Sequence, residues 1–272
     1  MVDSERVAQW ASWVGRVESR RQVLDQESLS RYSLAVGGSA DTAQAMPPTA
    51  HWAFFLTATT DDALGRDGHP RRGGFLPDIT LPRRMFAGSD MSFSAPLEIG
   101  KVAEMTNTIK NVAHKTGRSG DLVFVEVERV LSQAGLARII ESQHFVYRGL
   151  TENPLSLPAP AARQPEGAIW QPDAVNLFRF SAATFNSHRI HYDLPYTVET
   201  EGYPALVVHG PFIAAKLAGL AASKGELASF SFRALAPLFL GQPAYLRHCE
   251  GNGVEAVRCD GEICTAATAV YA

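Results

Sequence analysis

Residues 208–222 read VHGPFIAAKLAGLAA, and this stretch decides the fold of the 272-residue chain. Its Gly-Pro pair is typical of a helix start, and the Ala-rich apolar run that follows predicts a helix buried on most of its sides. Strand patterns come next, at residues 244–249, 254–259 and 263–271, with short connections between them. Short connections join neighbouring strands in antiparallel fashion, so the sequence predicts one long helix lying across an antiparallel sheet.

The first half of the chain repeats this order of elements. Strand patterns at residues 102–114, 122–131 and 136–147 again have short connections, and each half ends on a strand that closes with tyrosine. A helix across an antiparallel sheet is the hot-dog arrangement, and two copies in one chain make a double hot dog of the α+β class. We expect each module to be an antiparallel sheet wrapped around a long apolar helix. Because exposed edge strands invite pairing, we expect the two sheets to join edge to edge.

The repeat also sets the domain boundaries. We predict an N-terminal module at residues 1–150, a proline-rich linker at 151–173 and a C-terminal module at 174–272. Apolar residues at helical spacing predict a helix that starts near residue 4 and runs across residues 4–23. The Gly, Pro, Asp and Arg residues of 61–82 predict an exposed loop.

Composition narrows the class of function. The chain has a net charge of −3 and no dense block of Lys and Arg, so we expect neither nucleic acid nor an anionic membrane as a partner. No apolar run has the length of a membrane span. The cysteines, Cys249, Cys259 and Cys264, are too few and too late in the chain for a disulfide framework. We therefore expect a cytoplasmic protein with reduced thiols.

Histidines gather just before the predicted helix. His188, His191 and His209 lie within residues 178–211, although the whole chain has only eight histidines. Imidazole changes its charge near neutral pH, so clustered histidines beside polar side chains suit proton-transfer chemistry. The start of the helix adds free backbone N–H groups that can hold a developing negative charge.

The same region carries a resemblance to a known family. Residues 181–193, SAATFNSHRIHYD, and residues 201–211, EGYPALVVHGP, resemble the MaoC-like, R-specific enoyl-CoA hydratase family. Within it, the chain is similar to two-module proteins related to mesaconyl-CoA and itaconyl-CoA hydratases, and to the mitochondrial-type 3-hydroxyacyl-thioester dehydratase. The resemblance implies reversible hydration of a trans-2-enoyl-CoA, with a short branched or dicarboxylic C5 acyl group favoured.

The family motif, Asp-x-Asn-Pro-x-His-x-Asp/Glu, ends in a His-x-Asp that matches His191 and Asp193. The resemblance therefore places His191 at the position of the catalytic histidine. Counted back without gaps, the Asp position holds Asn186 and the Asn position holds His188. With a two-residue insertion, Thr184 and Asn186 take those places instead. In both alignments the usual acidic residue is missing.

Hydration of an enoyl thioester has three chemical requirements. A water must be oriented at the β-carbon, a proton must reach the α-carbon, and the thioester oxygen must be stabilised as enolate charge builds. We assign His191 to the water and the proton, Asn186 to positioning, and the backbone N–H of Gly210 to the thioester oxygen. His188 and Asp193 are further catalytic candidates. The alternative for His188 is a hydrogen-bonded interior histidine, and the alternative for Asp193 is a helix N-cap.

Cationic side chains suit the phosphates of a CoA thioester. The candidate substrate-binding residues are Arg83, Arg84, Arg189, Lys216 and His209. For a dicarboxylic acyl group, Arg83 or Arg84 is expected to pair with the free carboxylate. His209 could instead donate to a backbone carbonyl.

A metal site is the alternative use of these histidines. His188, His191, Asp193 and His209 could together bind a metal ion. Hydration needs no metal, so we expect neither a metal nor a cofactor beyond the CoA of the substrate.

The N-terminal module has no second His-x-Asp at its corresponding region, residues 47–56, so we expect it to shape the acyl pocket without catalysing the reaction. His51 is accordingly expected to be structural. Three alternatives to enoyl-CoA hydration stay open: a fatty-acid-type 3-hydroxyacyl-thioester dehydratase, a hot-dog thioesterase and a non-catalytic acyl-CoA-binding module. A paired-module chain can act alone, and pairing of two chains into a homodimer is a further expectation.

Overall fold

A computed structural model describes residues 2–42, 46–117, 120–150 and 155–272. The α-helices are α1 (Ser4–Ala11), α2 (Gln26–Ala35), α3 (Ala174–Thr184), α4 (Leu194–Glu199) and α5 (Gly210–Ala222). The strands are β1 (Val17–Val23), β2 (Arg83–Phe93), β3 (Val102–Gly117), β4 (Gly120–Gln133), β5 (Leu136–Arg148), β6 (Ala168–Trp170), β7 (Leu227–Ala234), β8 (Ala244–His248), β9 (Gly253–Arg258) and β10 (Ile263–Tyr271).

The strands of the described residues form one antiparallel sheet, in the order β1-β3-β4-β5-β2-β7-β10-β9-β8-β6. The order is the same in both halves when each is followed from its outer edge to the centre, with β6 to β10 repeating β1 to β5. The halves meet where Gly88–Ser92 of β2 pairs with Ser229–Arg233 of β7. The predicted double hot dog and its edge-to-edge junction are therefore confirmed.

Helix α5 forms the core of the C-terminal half. It packs against β7, β8, β9 and β10, and its Phe212, Ala214, Leu217 and Ala218 are at most 2% exposed. The alanines let the helix lie close to the sheet, while each fully buried large apolar side chain contributes about 1.5–3 kcal/mol. The prediction of a helix buried on most sides is confirmed.

The N-terminal half has a different interior. Between α2 and β2, the helices of the described residues are two short 3-10 helices, Ala50–Ala53 and Asp61–Ala63, so a long apolar helix is found in one module and not in each. The segment from Gly65 to Pro82 explains the difference, because its glycines and prolines disfavour an α-helix. The space is filled by apolar side chains and by a buried carboxylate, Glu141.

Glu141 has four side-chain hydrogen-bond partners, one of which is Gln143, whose Nε2 donates to it at 3.0 Å. Trp52 Nε1 donates to it at 3.1 Å, Ser89 Oγ at 2.9 Å, and His51 Nε2 lies at 3.2 Å. Burial alone would raise the pKa of Glu141, but the hydrogen bond and charge of His51 outweigh it and lower that pKa to about 2. His51 therefore lies in a structural network, as its sequence context predicted.

Two local predictions need correction. The helix predicted across residues 4–23 ends at Ala11, and Val17–Val23 is the edge strand β1, paired with β3. The chain turns between them at Gly15, which has φ +89°. The predicted linker contains the short strand β6, which pairs with β8. Within the described parts of the chain, no helix combines the length and apolarity needed to cross a membrane.

Candidate active site

The motif segment follows the end of α3. Phe185 ends that helix with φ 49°, in the left-handed region, and the chain then turns towards a 3-10 helix at Arg189–His191. Asn186 Oδ1 accepts a hydrogen bond from the backbone N–H of His188 at 3.0 Å. Asn186 thus shapes the turn that presents the two histidines, and its amide group is available as a donor.

His191 is buried with one ring nitrogen committed. Its Nδ1 lies 2.7 Å from the carbonyl oxygen of Val207. A carbonyl can only accept, so Nδ1 carries the hydrogen and the neutral ring presents a lone pair at Nε2. Burial lowers the pKa of His191 to about 3, although the hydrogen bond to Val207 opposes this shift. The ring of His191 is therefore neutral at physiological pH.

His209 stacks on His191 directly before α5. The two ring centroids are 3.6 Å apart. Ser181 Oγ lies 2.8 Å from Nε2 of His209, a hydrogen bond that either atom can donate. Nδ1 of His209 is buried and has no hydrogen-bond partner among the described residues. Burial lowers the pKa of His209 well below its ordinary value, so this ring is also neutral. Ser181 was not predicted as part of the site.

Gly210 is the first residue of α5, where a backbone N–H has no acceptor within the helix. A Cβ built on Gly210 would meet nothing closer than the carbonyl oxygen of Phe86 at 3.8 Å. Gly210 is half-buried, whereas His209 before it is fully buried. The start of the helix therefore has room for an approaching group, as the predicted donor to the thioester oxygen requires.

The N-terminal module reaches this site through residues 61–82, which were predicted as an exposed loop. The middle of the loop is part-buried against the motif segment: the His69 ring centroid lies 4.2 Å from that of His188. Asp67 Oδ2 is 3.3 Å from Nδ1 of His69. Sequence reasoning missed both residues, because their contact with His188 spans the two modules. The prediction of an exposed loop is corrected accordingly.

The three residues also have the donor types of a metal site. Asp67, His69 and His188 each contribute one possible ligand atom, and these three atoms all lie within 4.8 Å of one another. No other such group occurs in the described residues. The set proposed from the sequence is not the one brought together. Asp193 instead caps α4, where its Oδ1 accepts from Tyr196 N–H at 3.1 Å.

The side chains of the two candidate arginines at the start of β2 lie in different surroundings. Arg83 is buried, with its Nε 3.2 Å from a carboxylate oxygen of Glu201 and its guanidinium over the ring of Tyr203. Arg84 lies near the histidine cluster, because its positive charge contributes to the lowered pKa values of His69 and His188. Burial is the larger cause of both shifts, and it takes the pKa of His188 to about 2. The charge of Arg84 thus acts on the histidine cluster, whereas that of Arg83 is paired with Glu201.

The other two candidate cations make structural contacts. Arg189 forms a two-bond ion pair with Asp193, at 2.7 and 2.9 Å, and stacks over Tyr196. Lys216 Nζ donates to the carbonyl of Val36 at 3.2 Å, and burial lowers its pKa. Neither residue lies in the histidine cluster.

Comparisons with known proteins show the family and the fold of the chain. The family profile described as "Hydroxyacyl-thioester dehydratase type 2" matches residues 49–240. The mesaconyl-C(4)-CoA hydratase of Chloroflexus aurantiacus is 44% identical over 241 residues, which are 85% of this chain and 86% of that protein. The mitochondrial hydroxyacyl-thioester dehydratase type 2 of Schizosaccharomyces pombe is 25% identical over 238 residues, which are 75% of this chain and 77% of that protein. The solved structure of a MaoC-like dehydratase from Phytophthora capsici has the same fold, with a TM-score of 0.68 at 14% identity. The match covers 98% of this chain and 99% of that dehydratase.

Proposed function

Because the chain belongs to the hydroxyacyl-thioester dehydratase type 2 family, whose members are hydratases and dehydratases, we propose that its substrate is a short branched or dicarboxylic C5 enoyl-CoA. Mesaconyl-CoA and itaconyl-CoA are the favoured substrates, and the reaction is reversible addition of water across the carbon–carbon double bond of the acyl group. The expected resemblance to MaoC-like hydratases is confirmed by the family match. The proposal also places the enzyme in the cytoplasm.

The observation that carries the proposal is the state of His191. Its Nδ1 is tied to Val207 and burial keeps the ring neutral, so Nε2 can accept a proton. As the water oxygen bonds to the β-carbon, Nε2 takes one proton from the water. The same proton then goes to the α-carbon, which restores neutral His191 and completes addition of OH and H.

The thioester oxygen becomes negative before the α-carbon is protonated. The N–H of Gly210, at the positive end of α5, is the proposed donor to that oxygen, and the open space around Gly210 supports a close approach. Asn186 keeps His188 in place beside His191 through its backbone hydrogen bond. These roles need no group other than those of the chain and the substrate.

Arg84 is the proposed partner for a free carboxylate on the acyl chain. Its charge acts on His69 and His188, so a carboxylate bound by Arg84 would lie beside the imidazoles that face the double bond. Arg83 is assigned to the fold, because it pairs with Glu201.

A panel of enoyl-CoA substrates tests the proposal. Mesaconyl-CoA, itaconyl-CoA, crotonyl-CoA and longer 2-enoyl-CoAs are assayed in parallel for loss of enoyl-thioester absorbance and for release of free thiol. The proposal expects loss of absorbance without thiol, fastest for the C5 dicarboxylic substrates. Activity that rises with chain length would instead favour the fatty-acid-type dehydratase. Release of free thiol would favour a thioesterase, and binding without either signal would favour a non-catalytic module.

The oligomeric state stays a prediction. Two chains are expected to pair, and light scattering of the purified protein measures the mass that decides it.

A further inference from the structure

We propose that Asp67, His69 and His188 together hold the water molecule that is added to the substrate, with Asp67 supplying the acidic group that the motif segment lacks. This inference rests on the proposed hydration. It differs from the sequence-based expectation for the N-terminal module, which was that this module only shapes the acyl pocket.

The spacing of the three side chains suits one water. Three atoms that are all within 4.8 Å of one another lie within about 2.8 Å of a common centre, since 4.8 divided by √3 is 2.8. That radius is hydrogen-bonding distance for a water oxygen. A carboxylate can accept one hydrogen of that water and an imidazole N–H can donate to one of its lone pairs, which leaves the other hydrogen for Nε2 of His191. The remaining lone pair is free to attack the β-carbon.

Asp67 is fixed for this role at both of its oxygens. Oδ1 accepts from the backbone N–H of His69 at 3.1 Å, and Oδ2 lies 3.3 Å from the ring nitrogen Nδ1. Burial alone would raise the pKa of Asp67, but the hydrogen bonds from His69 outweigh burial and lower that pKa, so the carboxyl group stays ionised. The pair therefore fixes the orientation of the His69 ring.

The pair is part-buried but reachable. The side chains of His69 and Asp67 are 23% and 25% exposed. The ring of His191 stands perpendicular to that of His188, with centroids 5.4 Å apart. A water held by the three residues would thus lie next to the base that takes its proton.

Backbone contacts hold the loop in register with the motif segment. The N–H of Arg189 donates to the carbonyl of Asp67 at 2.9 Å, and its guanidinium donates to the carbonyl of Arg66 at 3.0 Å. Ser187 Oγ donates to the carbonyl of Gly68. Contacts on both sides of Gly68 therefore position the loop that carries Asp67 and His69.

Gly68 makes this close approach feasible. Its φ is +88°, and a Cβ at this position would lie 2.0 Å from the carbonyl oxygen of Ser187. No side chain fits there unless the loop moves away from the motif segment. Gly100 has a similar φ of +81°, but a Cβ at that position would meet nothing within 4 Å, so Gly100 is a matched control for backbone strain alone.

Steady-state hydration of the best panel substrate tests the inference. We expect Asp67→Asn and His69→Gln each to lower kcat about 100-fold with KM nearly unchanged, because a misplaced nucleophile is felt in the transition state and not in CoA binding. Asp61→Asn, in the same loop but exposed, should keep the wild-type kcat. Gly68→Ala should lower kcat in the same way, whereas Gly100→Ala should not.

Two further measurements separate this role from others. Added formate should restore part of the kcat of Asp67→Gly, because it can replace the lost carboxylate, and an excess of EDTA should leave the wild type unchanged. Two results would overturn the water site and leave the proposed hydration intact. One is a wild-type kcat in both Asp67→Asn and His69→Gln. The other is loss of wild-type activity with EDTA and its return with Zn²⁺. A wild type that hydrates no substrate of the panel would overturn the proposed function, and this inference with it.

Discussion

His191 and His209 stack face to face, with ring centroids 3.6 Å apart and ring planes inclined by 22°. Both rings are buried, and burial lowers both pKa values. A charge on either imidazole would be poorly solvated and would repel a charge on the other. The stack therefore keeps two neutral rings at the start of α5, which suits a base that must be ready at neutral pH.

The first prediction concerns the pH dependence of the rate. Because the pKa of His191 is lowered to about 3, the base form is populated throughout the range from pH 8 down to pH 5. The value of kcat/KM should therefore not follow an ionisation near the ordinary imidazole pKa of about 6.5. A pH–rate profile of hydration checks this, and an acid limb centred at about pH 6.5 that disappears in His191→Asn would contradict it.

The second prediction concerns stability below neutral pH. The pKa values of four clustered histidines are lowered in the folded state, chiefly by burial: His69, His188, His191 and His209. In the unfolded chain these rings bind protons near pH 6.5, whereas in the folded protein they do so only at lower pH. Their contribution to stability is thus complete above about pH 6.5 and declines as the pH falls below it, by up to about 1.4 kcal/mol per pH unit for each ring.

Urea denaturation at a series of pH values measures this decline. We expect His188→Gln to flatten the slope of unfolding free energy against pH below pH 6.5, because one ring that the unfolded state protonates is gone. Gln9→Ala is the control, since that side chain is exposed and carries no titratable group. Equal unfolding free energies at neutral and mildly acidic pH would show that the cluster is not held neutral.

The third prediction separates the two arginines of β2. Arg84→Gln should raise KM for mesaconyl-CoA by about 10- to 100-fold, the equivalent of one lost charge-assisted hydrogen bond, and leave KM for crotonyl-CoA nearly unchanged. Arg83→Gln should instead lower the unfolding free energy, because it leaves the carboxylate of Glu201 without its ion pair. An equal effect of Arg84→Gln on both substrates would remove the assigned role.

The fourth prediction concerns the partner of His209. Ser181→Ala removes the hydrogen bond to Nε2, and Nδ1 has no partner among the described residues, so a buried ring would lose its remaining hydrogen bond. The unfolding free energy should fall by about 1–3 kcal/mol. Ser223→Ala is the control, because its hydroxyl bonds a carbonyl at an exposed helix end. Equal stability of the two variants would mean that Ser181 does not support the stack.

The sequence predicted those parts of the fold that local pattern determines. The apolar run of α5 and the strands β3, β4 and β5 have periodicities that few other structures share, and their bounds agree within a few residues. Strand β1 was missed because its residues continue the helical spacing of α1, and the pairing with β3 that makes it a strand is a long-range contact. Its identity depends on a partner about eighty residues away.

The candidate site shows the same division. His191 and Gly210 could be proposed from the sequence because both lie in the segments, 181–193 and 201–211, that carry the family resemblance. Asp67 and His69 lie in the other module, and nothing in their local sequence says which surface the loop contacts. The one local sign is Gly68 between two polar residues, a position where a close backbone approach is feasible.

The most direct test is the hydration rate of His191→Asn with mesaconyl-CoA. The Asn amide nitrogen can still donate to Val207, so this variant removes Nε2 while it keeps the local hydrogen bond. We predict that hydration falls by about 100-fold or more, as expected for a lost acid–base group, and that His191→Ala falls at least as far. A His191→Asn enzyme that hydrates mesaconyl-CoA at nearly the wild-type rate would contradict the assignment of His191 as the base.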